Sequence, residues 1–295
     1  MSAPTRGTQL LAGHMSWAVR RPGLVALEVG WRWAAGIPLL MVAWDQAQQI
    51  QRLASANPAA PDFIDFDNPW TAAQQLASAW AVYQPPAYAV LSWLIPAAAM
   101  AWAVASGVGR NLLLTQMEPQ LKMRAAASTA LHAAHVLLLG LVLGGWYASI
   151  SGVASAHLSA AGEPDLVGCS AWVIFLSLGF FVLWALVSWP VGIAPVVMML
   201  EECSPWQALR RSFRLGKVFT GKLIEINLVM GIANLALLVV AMVLSAAPLP
   251  FSDQLGPEAM RIVLGGAVLF YLVASDYFQV VRLKSFVEFW WIFKG

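Results

Sequence analysis

Six apolar runs, each at least as long as the roughly twenty residues a helix needs to cross a hydrocarbon core, dominate this 295-residue chain. They cover residues 24–44, 88–108, 125–150, 168–200, 224–244 and 262–281. Lipid offers no water to backbone N–H and C=O groups, so each run must satisfy itself as a helix. A soluble domain of this length cannot hide six such runs and keep a wettable surface. Charged residues make up only 11% of the chain, against roughly 25% in ordinary soluble domains. The expected fold is an all-α integral membrane protein. Six transmembrane helices, joined in places by interfacial amphipathic helices, would form a single domain over residues 1–295.

The distribution of cations orients the spans. Arg6, Arg20 and Arg21 precede the first, and Arg110, Lys122 and Arg124 lie between the second and third. Arg210, Arg211, Arg214, Lys217 and Lys222 lie between the fourth and fifth, and Arg282, Lys284 and Lys294 follow the sixth. Only Arg52 and Arg261 fall on the other side, where Asp62, Asp65, Asp67, Glu163, Asp165, Asp253 and Glu258 collect. Positive charge is retained in the cytoplasm, so both termini are expected there, in a multi-pass protein of the inner membrane. The first 23 residues lack the short apolar core of a secretory signal, and the first span is read as an uncleaved anchor.

Two irregularities shape the expectation further. The outer loop 45–87 contains a stretch at 46–56 that should prolong the first span, followed by a separate helix from Pro69 onward. That helix would put Trp70, Ala73, Leu76, Ala77 and Trp80 on one face. The fourth run is too long for one straight crossing and contains Pro190 and Pro195, each lacking a helix donor. A span ending near Trp189 and a kinked tail at the interface are expected.

The segment ECSPWQALRRSFRLGK, residues 202–217, interrupts this apolar landscape. Ser204, Pro205 and Gln207 make a capped helix start, and Gly216 suits a stop. At helical spacing Trp206, Leu209 and Phe213 share an apolar face, and Arg210, Arg211 and Arg214 a basic one, with Lys217 just beyond. Ala208, Ser212 and Gly216 form a narrow stripe of small residues that lets another helix approach closely. The segment is therefore expected to lie along the inner interface and take anionic headgroups. In order and type, Glu202, Pro205, Ala208, Ser212 and Leu215 resemble the box E-x-x-x-x-x-A-x-x-x-S-x-x-L-x-x-G. That box follows the fourth span in bacterial six-helix membrane families, among them the membrane domain of glycerophosphoryl diester phosphodiesterases. Here the glycine, Gly216, comes ahead of the family position. The resemblance implies a six-helix fold in a bacterial inner membrane. It implies no phosphodiesterase activity, since the chain has no room for that family's soluble barrel. Two further basic segments, 20–22 and 118–124, precede the first and third spans in a weak internal repeat.

Polar residues inside the runs are costly in lipid and call for a partner or a wet cavity. Glu28 and Arg32 stand one turn apart, His132 and His135 share a side of the third span, Asn227 lies on the fifth and Asp276 on the sixth. All map to the basic half, which suggests an inward-facing polar cleft. The alternative is a set of interhelical hydrogen bonds. Ridges of small residues, among them Gly140 and Gly144, are expected to let helices pack closely within the chain or between copies. No C-x-x-C, H-E-x-x-H, G-x-S-x-G or Walker A pattern occurs, so no cofactor, metal or catalytic set is implied, and nothing points to nucleic acid. Three function classes follow: a non-enzymatic membrane protein that binds lipid or moves a small solute, a structural subunit of a larger membrane complex, and an intramembrane enzyme.

Overall fold

A computed structural model describes residues 7–57, 69–158, 165–215, 217–246 and 257–294. Among them are eight helices and no strand: α1 (Gly7–Val19), α2 (Pro22–Ser55), α3 (Pro69–Met117), α4 (Ala125–Leu158), α5 (Leu166–Leu200), α6 (Pro205–Ser212), α7 (Lys217–Ala246) and α8 (Pro257–Lys294). Six helices are long and apolar enough to cross a bilayer, within α2, α3, α4, α5, α7 and α8. Their flanks expose large apolar side chains such as Leu40, Leu137, Ile174, Leu186, Ile232 and Phe270. Soluble proteins confine exposed apolar surface to limited patches; here it recurs on α2, α4, α5, α7 and α8. The chain is a polytopic α-helical membrane protein.

The contacts divide it into two units, Arg32–Ala105 and the remainder. The smaller unit holds most of α2 and about the first three quarters of α3, and Ala54, Val82, Val90 and Ala103 are buried in it. As expected, α2 runs on through Arg52 to Ser55. The separate outer helix is a correction. A single 49-residue helix, α3, passes through Pro85, Pro86 and Pro96 into the second span. At 1.5 Å per residue it measures about 74 Å, more than twice the roughly 30 Å hydrocarbon layer. The side chains of Trp70, Ala73, Leu76, Ala77 and Trp80 lie outside the described residues.

The core of the larger unit sits at the basic ends of its helices. Leu113, Leu114 and Met117 close α3, Leu131 stands near the start of α4, Ile226 and Met230 near the start of α7, and Val280 to Trp290 supply one side of α8. The tail of α5 is packed within the bundle. Residues 190–199 stay helical through Pro190 and Pro195 and, apart from Gly192, are buried, whereas most of the helix before them is exposed. The prolines deprive the carbonyls of Leu186 and Val191 of their usual donors. The run of Ile193, Ala194, Val196, Val197, Met198 and Met199 gains more from burial than an interfacial tail would, about 25 cal/mol per Å² of apolar surface.

Small residues set the closest approaches. A Cβ at Gly107 would stand 2.5 Å from the Cα of Thr129 on α4, and one at Gly109 would run into the Trp31 ring on α2. The expected ridge on α4 is not used in this way. Cβ atoms at Gly140 and Gly144 would meet no atom within 4 Å, because α4 turns the neighbouring Gly145 toward Phe180 of α5, 3.2 Å from such a Cβ.

Candidate functional site

The corner between α5 and α6 is built from its capping chemistry. Ser204 Oγ accepts from the Gln207 N–H at 3.3 Å, and Gln207 Oε1 accepts from the Ser204 N–H at 3.4 Å, with Pro205 opening the helix. Glu202 adopts the left-handed conformation, φ 46°, a costly position for a non-glycine residue. Its carboxylate meets Lys122 Nζ at 3.2 Å. Arg124 donates from its guanidinium to the Cys203 carbonyl at 2.6 Å and from its backbone to Asn111 Oδ1 at 2.8 Å. Arg211 pairs with Glu201, which holds its guanidinium more firmly charged than usual. The basic 118–124 segment that precedes the third span is a turn that braces this corner.

Helix α6 is seated by the expected stripe: Ala208 and Ser212 are fully buried. Gly216 lies outside the described residues, as does the Lys217 side chain, and the helix ends at Ser212, one turn sooner than expected. Trp206 is 71% exposed and Phe213 55%. Arg210 and Arg214 are exposed and make no ion pair among the described residues, unlike Arg211. At 3.6 residues per turn, Phe213, Trp206, Arg210 and Arg214 fall within an arc of about 100°, opposite Ala208 and Ser212. Aromatic surface and exposed cations on one side of a short docked helix fit a lipid–water boundary.

Helix α1 forms a second polar assembly that sequence reasoning missed. His14 is buried, with Nδ1 2.8 Å from Ser285 Oγ and Nε2 2.7 Å from Glu288 Oε2. The Ser285 hydroxyl donates to the Val281 carbonyl, so its oxygen is left to accept the Nδ1 proton. Tyr277 donates to the Met15 carbonyl at 2.8 Å. Lys284 pairs with Glu118 at 2.8 Å, approaches Glu288 at 3.9 Å and stands over the Trp17 ring, which Arg21 also covers at 4.8 Å. The available signal was the spacing of Leu11, His14, Met15 and Ala18, one helical face.

Five of the six residues expected to line one cleft lie in the larger unit. Glu28 is fully buried and accepts from Trp31 Nε1 at 2.7 Å, while the Trp31 ring lies against Gly109. His132 Nδ1 donates to the Ser128 carbonyl at 2.9 Å; His135 meets Trp184 edge-on with centroids 5.2 Å apart; both lie within electrostatic reach of Arg110. Asp276 is buried on α8 and Asn227 half-buried on α7. Arg32 belongs to the smaller unit. A cavity of about 410 Å³ does open at the basic end, but Arg21, Gly23, Leu24, Leu27, Leu112 and Gln116 line it, and none of the six does. Among the described residues no three His, Cys, Asp or Glu side chains converge as a metal site would require, and Cys169 and Cys203 are free thiols. In comparison with known proteins, no family model, curated protein or solved structure matches this chain.

Proposed function

We propose that this polytopic protein is a non-enzymatic module of a bacterial inner membrane that holds anionic lipid headgroups on its cytoplasmic side. The observation that carries the reading is α6. Its small-residue face is sealed against the bundle, and its opposite side presents Arg210 and Arg214 beside exposed Trp206 and Phe213. Each arginine near an anionic surface contributes about 1 kcal/mol, and the two rings add apolar anchoring. The cation bias of the sequence supports the cytoplasmic placement. The likeness to the six-helix families belongs to the same reading, since Ala208 and Ser212 of the box are the residues that seat α6. Native mass spectrometry of the full-length protein tests it. The Arg210→Gln/Arg214→Gln variant should retain fewer anionic lipids and as many zwitterionic ones. Unchanged anionic retention would overturn the assignment.

A second reading, a subunit of a larger assembly, is favoured by the open ridge of α4. Gly140, Gly144 and Gly152 are exposed, with open space where a methyl group would stand, and Leu137 and Leu141 flank them. Gentle extraction that yields only a lone monomer would remove this reading.

A further inference from the structure

We infer that the cavity between the start of α2 and the end of α3 is a binding site for one anionic membrane amphiphile, whose acidic head is taken by Arg21. The inference rests on the membrane-lipid reading above but not on α6. The lining is ordered by polarity along both helices. Arg21 and Gln116 stand at the basic ends, while Leu24, Leu27 and Leu112 lie one to two turns deeper. From Arg21 to Leu27 is about 9 Å of helix, and the volume of about 410 Å³ falls within the range of small-molecule sites. A small soluble anion has no use for the inner leucine wall, and a bare hydrocarbon has none for the cation. A head with a short length of chain matches both.

Arg21 is prepared for this role. Its guanidinium carbon stands over the Trp17 ring, 4.8 Å from the centroid, and none of the guanidinium N–H groups has a hydrogen-bonded acceptor among the described residues. The ring holds the cation in place while its N–H groups remain available to the oxygens of a phosphate or carboxylate. Gly23 lines the cavity in the first turn of α2, where Pro22 has no N–H and the Leu24 N–H is bonded to the Arg21 carbonyl, so the Gly23 N–H is the donor that the helix start offers to negative charge. A Cβ there would meet no atom within 4 Å, so the backbone is open to a ligand.

The test uses the full chain carrying Arg210→Gln/Arg214→Gln, which removes the α6 contribution. After delipidation in neutral detergent, it is titrated with a phosphatidylglycerol, a phosphatidylcholine or inorganic phosphate and read by native mass spectrometry. One phosphatidylglycerol should bind, at least tenfold tighter than phosphatidylcholine. Adding Arg21→Gln should weaken it about tenfold, and Arg21→Lys should weaken it less. Leu112→Trp, which fills the inner wall, should also lower lipid affinity; because that variant can misfold, Arg21→Gln decides. Equal binding by the Arg21→Gln protein overturns the proposal. Displacement of the lipid by equimolar inorganic phosphate overturns the amphiphile assignment and leaves a small-anion site. Failure of the Arg210/Arg214 variant to lose any lipid would instead strike the α6 reading alone.

Discussion

His14 and Glu288 meet at 2.7 Å although 274 positions separate them, so the first described helix is fastened to the last. The pair forms a polar clip with Ser285 in the seam between α1 and α8, which also holds apolar contacts and the Tyr277–Met15 hydrogen bond. His14→Ala leaves the Ser285 oxygen buried without its donor, at a cost of about 1–3 kcal/mol. Hydrogen exchange over residues 7–19 should quicken roughly tenfold or more while α4 and α5 keep their protection. Glu288→Gln should do less, because Glu288 is 38% exposed and water can replace it. Equal protection in the wild type and His14→Ala would show that the apolar contacts alone hold α1.

Glycine substitutions should separate contact from mere helical spacing. Gly107→Ala drives a methyl against the Thr129 backbone, which cannot swing aside, and should cost about 1–3 kcal/mol or more. Gly109→Ala meets the Trp31 ring, a side chain that can turn, but only by giving up its bond to Glu28. Gly144→Ala meets nothing and should be neutral or stabilise by up to about 1 kcal/mol through helix propensity. Melting temperatures in one detergent should therefore rank Gly107→Ala lowest and Gly144→Ala highest. A loss at Gly144 comparable to that at Gly107 would point to a partner on the open ridge.

Neither the α1–α8 clip nor the choice among glycines was readable in the way the spans were. Six spans were legible because lipid demands long uninterrupted apolar helices, and α6 because a capping box and three distinct faces are local features. An all-apolar helix, by contrast, says nothing about which side meets protein and which meets lipid. Hence the sequence showed the two prolines of the α5 tail but not that residues 193–199 enter the core. The same ambiguity hid which glycine of α4 meets α5, namely Gly145. His14 was overlooked because what makes it special, Ser285 and Glu288, lies at the far end of the chain. The expected cleft grouped residues by depth in the membrane, a coordinate the sequence carries, while their partners depend on helix rotation, which it does not.

Asp165 should give α5 an acid-sensitive start. Its carboxylate accepts from the Gly168 N–H at 2.8 Å and meets His157 at 3.1 Å; chiefly the first of these holds it below the ordinary carboxylate range. A group whose folded value is lowered stabilises the fold in its ionised form. The contribution is complete above about pH 5, begins to fall near the unfolded Asp value of about 3.9 and is gone below the lower folded value. Exchange of the amides at the start of α5 should rise over that acid window beyond its intrinsic pH dependence. Asp165→Asn keeps an acceptor at the cap and should abolish the extra dependence. A wild-type profile matching that of the Asn variant would refute the role of the charge.

Cys203 offers a reporter for the seating of α6. It is 7% exposed, and burial pushes its thiol above the usual range, so little reactive thiolate is present near neutrality. A membrane-permeant maleimide should label it slowly in the native protein and freely after denaturation. Ala208→Leu forces three extra carbon atoms into a position with no exposed surface and should lift α6 from α5, at about 1–3 kcal/mol. Labelling should accelerate several-fold. Ser204→Ala removes half of the capping box, costs about 1 kcal/mol locally and should accelerate labelling less. Cys169, 8% exposed at the opposite end of α5, serves as the internal control and should keep its rate in both variants. If both cysteines speed up together under Ala208→Leu, the substitution has loosened the whole bundle and α6 is not an independently seated element.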